Sequence, residues 1–557
     1  MINGITLRDA ILSGANNICK NKKAVDELNI FPVPDGDTGT NMSMTITAAV
    51  RELEKSQDTA AGSVARQAAS AMLRGARGNS GVILSLLFRG FSKGLGEAVE
   101  ASGEDLVNAL GLGVDAAYKA VMTPTEGTIL TVARVAYEKG RAAAAIDNDP
   151  AYVWAAVCMG AGAALEETPE LLPVLKKAGV VDAGGKGLCL IFEGMRSVIQ
   201  DGVVIQAEKS QEEKAEETAE FFRNAAAEFD QEIHFTYCTE FVVGREESCT
   251  RNPAELRAYL ETIGDCVVVV DDEEIIKVHV HTEDPGKALQ EGLSFGQLLT
   301  VKVENMKEQH RQAAEANEAV KAAEKPAPAP LEPAEPTEEL GFVAVAAGDG
   351  LHTLFSDLGC SQVVSGGQTM NPSTQDILAA VLATPAKKVF VLPNNKNIIM
   401  AAEQTIPLVT DREVVVLPTR TIPQGLSAML AVDPDVSPEE NQQRMMDAAG
   451  AVATGTVTFA ARDSEFGGHK IRQGEIMGLR NGKLEYIEKD PVHTCSKLTR
   501  AMVNRNTSFI TLIYGSDITE AQAEDACQRI RSKISDDIEV TLINGGQPVY
   551  YFIISIE

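Results

Sequence analysis

At 557 residues the chain is too long for one hydrophobic core, so about three or four domains are expected. A hydrophobic content of 44% excludes a largely disordered protein, and a formal net charge of −29 argues against nucleic acid as the main partner, because phosphate backbones need clustered Lys and Arg. The start Met1-Ile-Asn-Gly-Ile-Thr-Leu-Arg lacks the basic region and apolar run of a secretory signal. No apolar segment reaches the roughly 18 residues of a membrane span, and nine cysteines show no Cys-x-x-Cys spacing. The expectation is a cytoplasmic protein with reduced thiols and no transmembrane segment.

Residues 1–205 read as a helical domain, rich in Ala, Leu and Gly. Ser63 to Leu73 and Asp105 to Met122 carry the three-to-four-residue apolar spacing of amphipathic helices. Within this region Asn29-Ile-Phe-Pro-Val-Pro-Asp35-Gly-Asp37-Thr-Gly-Thr-Asn41-Met sets two carboxylates two residues apart. Pro32 and Pro34 stiffen the segment, and Gly36 and Gly39 make it permissive. Hard oxygen donors on a short loop suit a Mg2+ site that keeps positions open for phosphates. As an EF-hand the motif fails, because counting Asp35 as first puts Ile46 where a bidentate Glu is required. No Gly-x4-Gly-Lys-Ser/Thr loop occurs, and no Gly-x-Gly-x-x-Gly opens a βαβ unit. Further Gly-rich breaks recur at Gly75–Gly81, Pro124–Thr128 and Val181–Gly187.

A charged stretch from Gln206 onward reads as a linker or exposed helix. A middle domain over 220–315 follows in β-α-β-β-α-β order. Strands are expected at Phe235–Val243, Cys266–Val270, Ile275–His281 and Leu298–Val303, with helices at Pro253–Ile263 and Pro285–Leu293. That order suggests a small α+β ferredoxin-like fold. Residues 316–340, rich in Pro, Ala and Glu, read as a semi-rigid linker. Residues 341–557 alternate strand and helix patterns. Phe342–Ala346, Val389–Leu392 and Val414–Leu417 predict an α/β domain with a largely parallel sheet, and Phe509–Tyr514 and Val540–Ile554 predict further strands.

Lys277-Val-His279-Val-His281-Thr reads as a strand with both histidines on one face. Cys238 would lie across from them if the two strands pair. Three such ligands make either a Zn2+ site with an open fourth position or a surface His pair beside a buried Cys. Glu240 is a candidate base there, and His234 reads as a surface residue. In the last domain the loops Gly348–Leu351, Ser365–Ser373 and Pro393–Asn397 each follow a strand, so they could form a cleft or a docking face. Cys360 and Cys495 have no catalytic company.

Four stretches in order (Asn29–Met42, Gly75–Gly81, Glu126–Thr128 and Asp182–Gly185) resemble the nucleotide-binding subunit of bacterial dihydroxyacetone kinases. The domain order is similar to that of the ATP-binding component of bacterial fatty acid kinase, including the ending Gly545-Gly-Gln-Pro-Val-Tyr550. The resemblance implies an all-α eight-helix barrel at the N-terminus that binds ATP or ADP through Mg2+. Asp35 and Asp37 would be the catalytic metal carboxylates, with Asn29 near the place of a third upstream acid. Thr38, Gly39, Thr40 and Asn41 would contact phosphate, as would Gly78, Asn79 and Ser80 at a helix start. Thr128 would lie near the nucleotide, and Asp182, Ala183 and Gly184 in a loop over it. It also implies metal binding by Cys238, His279 and His281, taken as zinc, and a DegV-like C-terminal domain for partner docking.

The function so implied is transfer of the terminal phosphoryl group of ATP to a fatty acid carboxylate, giving an acyl phosphate. A separate fatty-acid-binding carrier protein would present the substrate, with a homodimer as an option. The alternatives are a dihydroxyacetone-type small-molecule kinase and a nucleotide-binding regulatory or lipid-binding scaffold.

Overall fold

The computed structural model describes residues 1–29, 37–121, 124–206, 235–245, 249, 251–271, 275–305, 331–367, 370–461, 463–466 and 469–557. The chain forms two compact units, one made of 1–207 with 331–557 and the other of 208–330. Among the described residues no helix is long and apolar enough to cross a membrane.

In the described part of residues 1–206 there are eight long helices: Gly4–Asp26, Thr38–Leu53, Ala61–Gly75, Gly78–Leu95, Gly103–Ala120, Ile129–Ala144, Pro150–Leu171 and Ala183–Asp201. The six-residue helix Pro173–Ala178 precedes the last. Each long helix packs on the next, and the last packs back on the first. Their apolar stripes meet inside, where Leu7, Ile18, Ile46, Val64, Leu84 and Leu188 are fully buried. Trp154 anchors one side. Its Nε1 donates to the Phe192 carbonyl at 3.1 Å, and its ring meets Phe192 edge-on at 5.5 Å. The helix expected from Asp105 begins at Gly103 because Ser102 and Asp105 close a capping box. Helix starts face one end of this bundle at Thr38, Gly78 and Ala183, and these starts build the site.

The C-terminal part has two sheets. The first is parallel, in the order Glu413–Val416, Ala386–Leu392, Glu338–Ala346, Gln362–Ser365. Its strand Glu338–Ala346 begins inside the segment assigned to the linker, because Glu338 pairs with Ala386 and Leu340 with Lys388. Both faces are buried, as expected of a parallel sheet. Val343, Val345, Val389 and Val391 join the core that runs into the helical bundle. Phe342, Ala344, Phe390 and Leu392 face the opposite way.

The second sheet departs from the expected parallel rhythm. Its order is Lys483–Glu488, Ile476–Arg480, Ala453–Phe459, Tyr550–Ile556, Phe509–Tyr514, Glu539–Asn544, and only the last pair is parallel. A two-residue turn at Asn481-Gly482, with φ of 48° and 77°, makes the hairpin that enforces antiparallel pairing.

The described part of the second unit runs Tyr237–Arg245, Pro253–Leu260, Gly264–Asp271, Ile275–Thr282, Pro285–Gly292, Gly296–Asn305. The four strands form one antiparallel sheet in the order second, third, first, fourth. Phe241, Val243, Ile276, Val278 and Val280 pack with Leu256, Leu260 and Ala288 of the helices on one face. Residues that alternate with them occupy the other face.

Candidate functional site

Asp26 ends the helix Gly4–Asp26. Its Oδ1 accepts from the backbone N–H of Gly39 at 2.6 Å and of Thr40 at 3.1 Å, and its Oδ2 accepts from Thr40 Oγ1 at 2.8 Å. The helix Thr38–Leu53 is thus capped from outside, since Asp37, at its N-cap position, makes no side-chain cap bond. The N–H groups of Gly39 and Thr40, two residues of the expected phosphate-contacting run, donate to Asp26 in this structure. Asn29 Oδ1 accepts from Thr38 Oγ1 at 2.9 Å, and Asn29 Nδ2 donates to the Asp26 carbonyl at 3.1 Å. Asp26 is therefore an upstream carboxylate that holds the start of this helix, beside Asn29, the residue the motif points to. Asp26→Ala is expected to cost about 2 kcal/mol of stability, the loss of a charged cap. Urea unfolding checks this; an unchanged midpoint would mean the cap is idle.

The helix Gly78–Leu95 begins differently. Its N-cap is Arg77, and no side chain caps it among the described residues, so its first N–H groups and the positive end of its dipole stay open to an anion. Gly78 sits at φ +58°, and a Cβ there would stand 2.5 Å from Asn41 Nδ2, so both conformation and space require glycine. Asn79 Oδ1 is buried without a hydrogen-bond partner, which is costly unless a ligand or cation completes it.

Asp182 starts the third helix, Ala183–Asp201, accepting from the Gly185 N–H at 2.7 Å. Burial pushes its carboxyl up to about 6 against hydrogen bonds from Gly185 and Ile129 that pull it down. A folded-state value above the unfolded one means the folded protein holds the proton more tightly. Its contribution to stability is therefore present below the ordinary carboxyl range and lost as pH rises from about 4 through about 6. The loss is at most about 3 kcal/mol. Asp182→Asn keeps the cap without the charge, so thermal melts should show higher stability at pH 8 and a flatter slope from pH 4 to 7. A variant with the wild-type slope rules the assignment out.

These three helix starts enclose a cleft of about 410 Å³. Leu28, Ile83, Ile129 and Leu175 make an apolar part, and Asn29, Asp37, Thr38, Asn41, Asn79, Ser80, Asp182, Ala183 and Gly184 make the polar part. Asp35 lies outside the described residues. Thr128 stands off the lining; its Oγ1 accepts from the Leu130 N–H at 3.4 Å and so caps the helix Ile129–Ala144. Gly39, Thr40 and Gly78 adjoin lining residues in sequence without lining the cleft themselves.

Sequence reasoning missed three contributors from the α/β domain. Asn371 is buried, and its Nδ2 donates to Asp37 Oδ2 at 2.6 Å. Its carbonyl accepts from Arg77 at 2.7 Å, and Thr374 N–H donates to the Ala76 carbonyl at 3.1 Å. Lys396 and Asn397 complete the cleft lining. Asn371, Lys396 and Asn397 all fall in two of the post-strand loops read as a cleft or docking face, and that position was the available signal.

In the second unit, antiparallel register sets Cys238 opposite His281 and Glu240 opposite His279. Donor atoms of Cys238, His279 and His281 lie within 4.8 Å of one another. The two Nε2 atoms are 3.2 Å apart, and Cys238 Sγ is 3.9 Å from His279 Nδ1. His279 is buried with Nδ1 3.3 Å from Glu240 Oε1, so Glu240 orients the ring. Burial, then the neighbouring His279, lowers the His281 pKa, which keeps it a neutral donor. One thiol and two imidazoles with nitrogens this close suit a tetrahedral ion. His234 lies outside the described residues. The Cys360 and Cys495 thiols are buried, and burial pushes Cys360 up to about 12, so it is no nucleophile at neutral pH.

Three family descriptions match the chain: DAK2 domain over 32–197, FakA-like (fatty acid kinase) middle domain over 234–313, and FakA-like (fatty acid kinase) C-terminal domain over 341–557. Protein YloV of Bacillus subtilis (strain 168) is 42% identical over 558 residues, covering 100% of this chain and 99% of that protein. Among solved structures, the dihydroxyacetone kinase from C. freundii in complex with AMP-PNP and Mg2+ is 19% identical over 35% of this chain and 34% of its own, with a TM-score of 0.28. A DegV family protein from Thermus thermophilus, solved for its fatty acid binding, is 15% identical over 39% of this chain and 99% of its own, with a TM-score of 0.29. With the three descriptions in one chain and a relative this similar from end to end, the protein belongs to the FakA-like fatty acid kinase family.

Proposed function

We propose that the chain is the ATP-dependent component that phosphorylates a fatty acid carboxylate, held by a separate carrier protein, to give an acyl phosphate. The observation that carries this is the cleft itself: an uncapped helix start at Gly78, the Asp37 carboxylate and the unpartnered Asn79 Oδ1 beside apolar walls. An apolar part suits a purine, and a polar part with an open helix start suits phosphates. The hard oxygens of Asp37, Asn79 and Thr38, with Asp35 and Asn29 in the same sequence motif, fit Mg2+, which when bound would offset phosphate charge.

The chain's own residues hold, orient and enclose. The open N–H groups of the helix Gly78–Leu95 face the anion, Asp37 is held by Asn371, and the Asp182 loop closes the opposite wall. In the step, a carboxylate oxygen attacks the terminal phosphorus, and the bond to the bridging oxygen breaks with its electron pair leaving on ADP. A carboxylate is already ionised near neutrality, so no proton need be taken.

The helical ring and the second-third-first-fourth strand order are consistent with an eight-helix barrel and a ferredoxin-like middle fold. We read the Cys238, His279 and His281 cluster as a zinc site, the cytoplasm as the place of action and a homodimer as an option. Measuring ADP release with ATP alone, with fatty acid, and with fatty acid on a carrier tests the proposal. Release only in the last case supports it, release with dihydroxyacetone points to the small-molecule kinase, and none with any acceptor points to a scaffold.

A further inference from the structure

The α/β domain does more than sit beside the cleft. Asn371 bonds the Asp37 carboxylate, and a second loop, Pro393–Asn397, brings Lys396 to the cleft lining. That loop leaves the carboxyl end of the strand Ala386–Leu392. There the sheet order reverses, with Gln362–Ser365 on one side of Glu338–Ala346 and Ala386–Leu392 on the other. Ligand contacts gather at such points.

The loop is braced. Asn394, buried at φ +55°, donates Nδ2 to the Val345 carbonyl at 3.1 Å and accepts from Thr419 Oγ1 at 2.8 Å. Asn397 N–H donates to Asn395 Oδ1 at 2.9 Å, and Ile398 is fully buried in the core shared with the helical domain. Held at both ends, the loop fixes the backbone of Lys396 while the residue stays exposed, with no ion pair or hydrogen bond to a described residue. Lys396 also lines a second cleft, of about 470 Å³, within the α/β domain, where Arg420, Thr421 and Tyr550 stand. It therefore stands at the junction of the two clefts. In a chain of net charge −29, a cation on a braced loop that shares a cleft lining with Asp37, Asn79 and Ser80 is matched to a polyanion.

We propose that Lys396, supplied by the α/β domain, contacts the terminal phosphoryl group of the bound nucleotide and neutralises its oxygens during transfer. This rests on the kinase reading above. Charge on the three peripheral phosphoryl oxygens is where a fixed ammonium acts, and no proton moves. Because the contact is to the terminal group, ATP and ADP must respond differently to its loss.

The test is calorimetric titration of full-length wild type, Lys396→Ala and Lys396→Arg with MgATP and, separately, MgADP, with melting temperatures measured alongside. Lys396→Ala is expected to weaken ATP binding about tenfold while leaving ADP within about twofold, and Lys396→Arg to retain most ATP affinity. Turnover of Lys396→Ala should fall on the order of 100-fold. A merely structural lysine would shift both nucleotides together or lower the melting temperature, and either result overturns the assignment. Equal ATP-to-ADP affinity ratios in wild type and Lys396→Ala overturn it too. A wild type that binds neither nucleotide sinks the kinase reading itself, which the variant results alone cannot do.

Discussion

Asp37→Ala is expected to lower phosphoryl transfer on the order of 1,000-fold or more, because the variant loses a carboxylate placed to hold the phosphate-bound cation. The fold should survive. Asp37 makes no side-chain cap to the helix it precedes, and that duty belongs to Asp26. The bond from Asn371 is lost, yet Arg77 still grips the Asn371 carbonyl and Thr374 still pairs with Ala76. The melting temperature should therefore stay within a few degrees while ADP release disappears, with Asp35→Ala behaving likewise. The contrast with Asp26→Ala is the informative part, since two acids that meet at one helix start should separate into a chemical role and a structural one. Turnover at the wild-type rate in Asp37→Ala would falsify the metal assignment.

The second large effect is expected in the other unit. Wild-type protein should carry about one zinc per chain, and His279→Ala combined with His281→Ala should carry none, because two of three donors vanish. His279 is buried, so that pair of changes also opens a void. Cys238→Ser is the gentler control, keeping shape while replacing a thiolate by a poor ligand. Elemental analysis of purified protein reads all three. Chelation should lower the melting temperature of wild type and leave the double variant where it is. Zinc retained by the double variant, or absent from wild type, ends this assignment.

Much of this was legible in the sequence because short-range rules carried it. Alternation alone placed His279 and His281 on one face, and the antiparallel register then put Cys238 opposite His281. The glycine-rich breaks marked the helix starts that gather at one end of the bundle. The strand and helix rhythm announced the parallel sheet, although the linker boundary fell inside the strand Glu338–Ala346.

What escaped depends on long-range contact. Nothing local to Asn371 says that its amide meets Asp37, 334 residues away in the chain. Lys396 lies in a loop the sequence marks as a cleft or docking face, but only the folded chain shows that the cleft it reaches is the one lined by Asp37. The antiparallel second sheet did have a signal in Asn481-Gly482, whose left-handed conformations suit a tight hairpin. Asp26 had one as well. An acid in the last turn of a helix opposes the helix dipole, and such a residue is tolerated where its charge is used elsewhere, here by the backbone of Gly39 and Thr40.

A crystal structure of the full chain grown with a non-hydrolysable ATP analogue and Mn2+ examines the cleft most directly, because manganese reveals itself by anomalous scattering. The expected result is an anomalous peak against the Asp37 carboxylate, phosphates at the start of the helix Gly78–Leu95, and the Lys396 ammonium within hydrogen-bond reach of the terminal phosphate. An empty cleft under saturating nucleotide, or manganese bound away from Asp37, would contradict it.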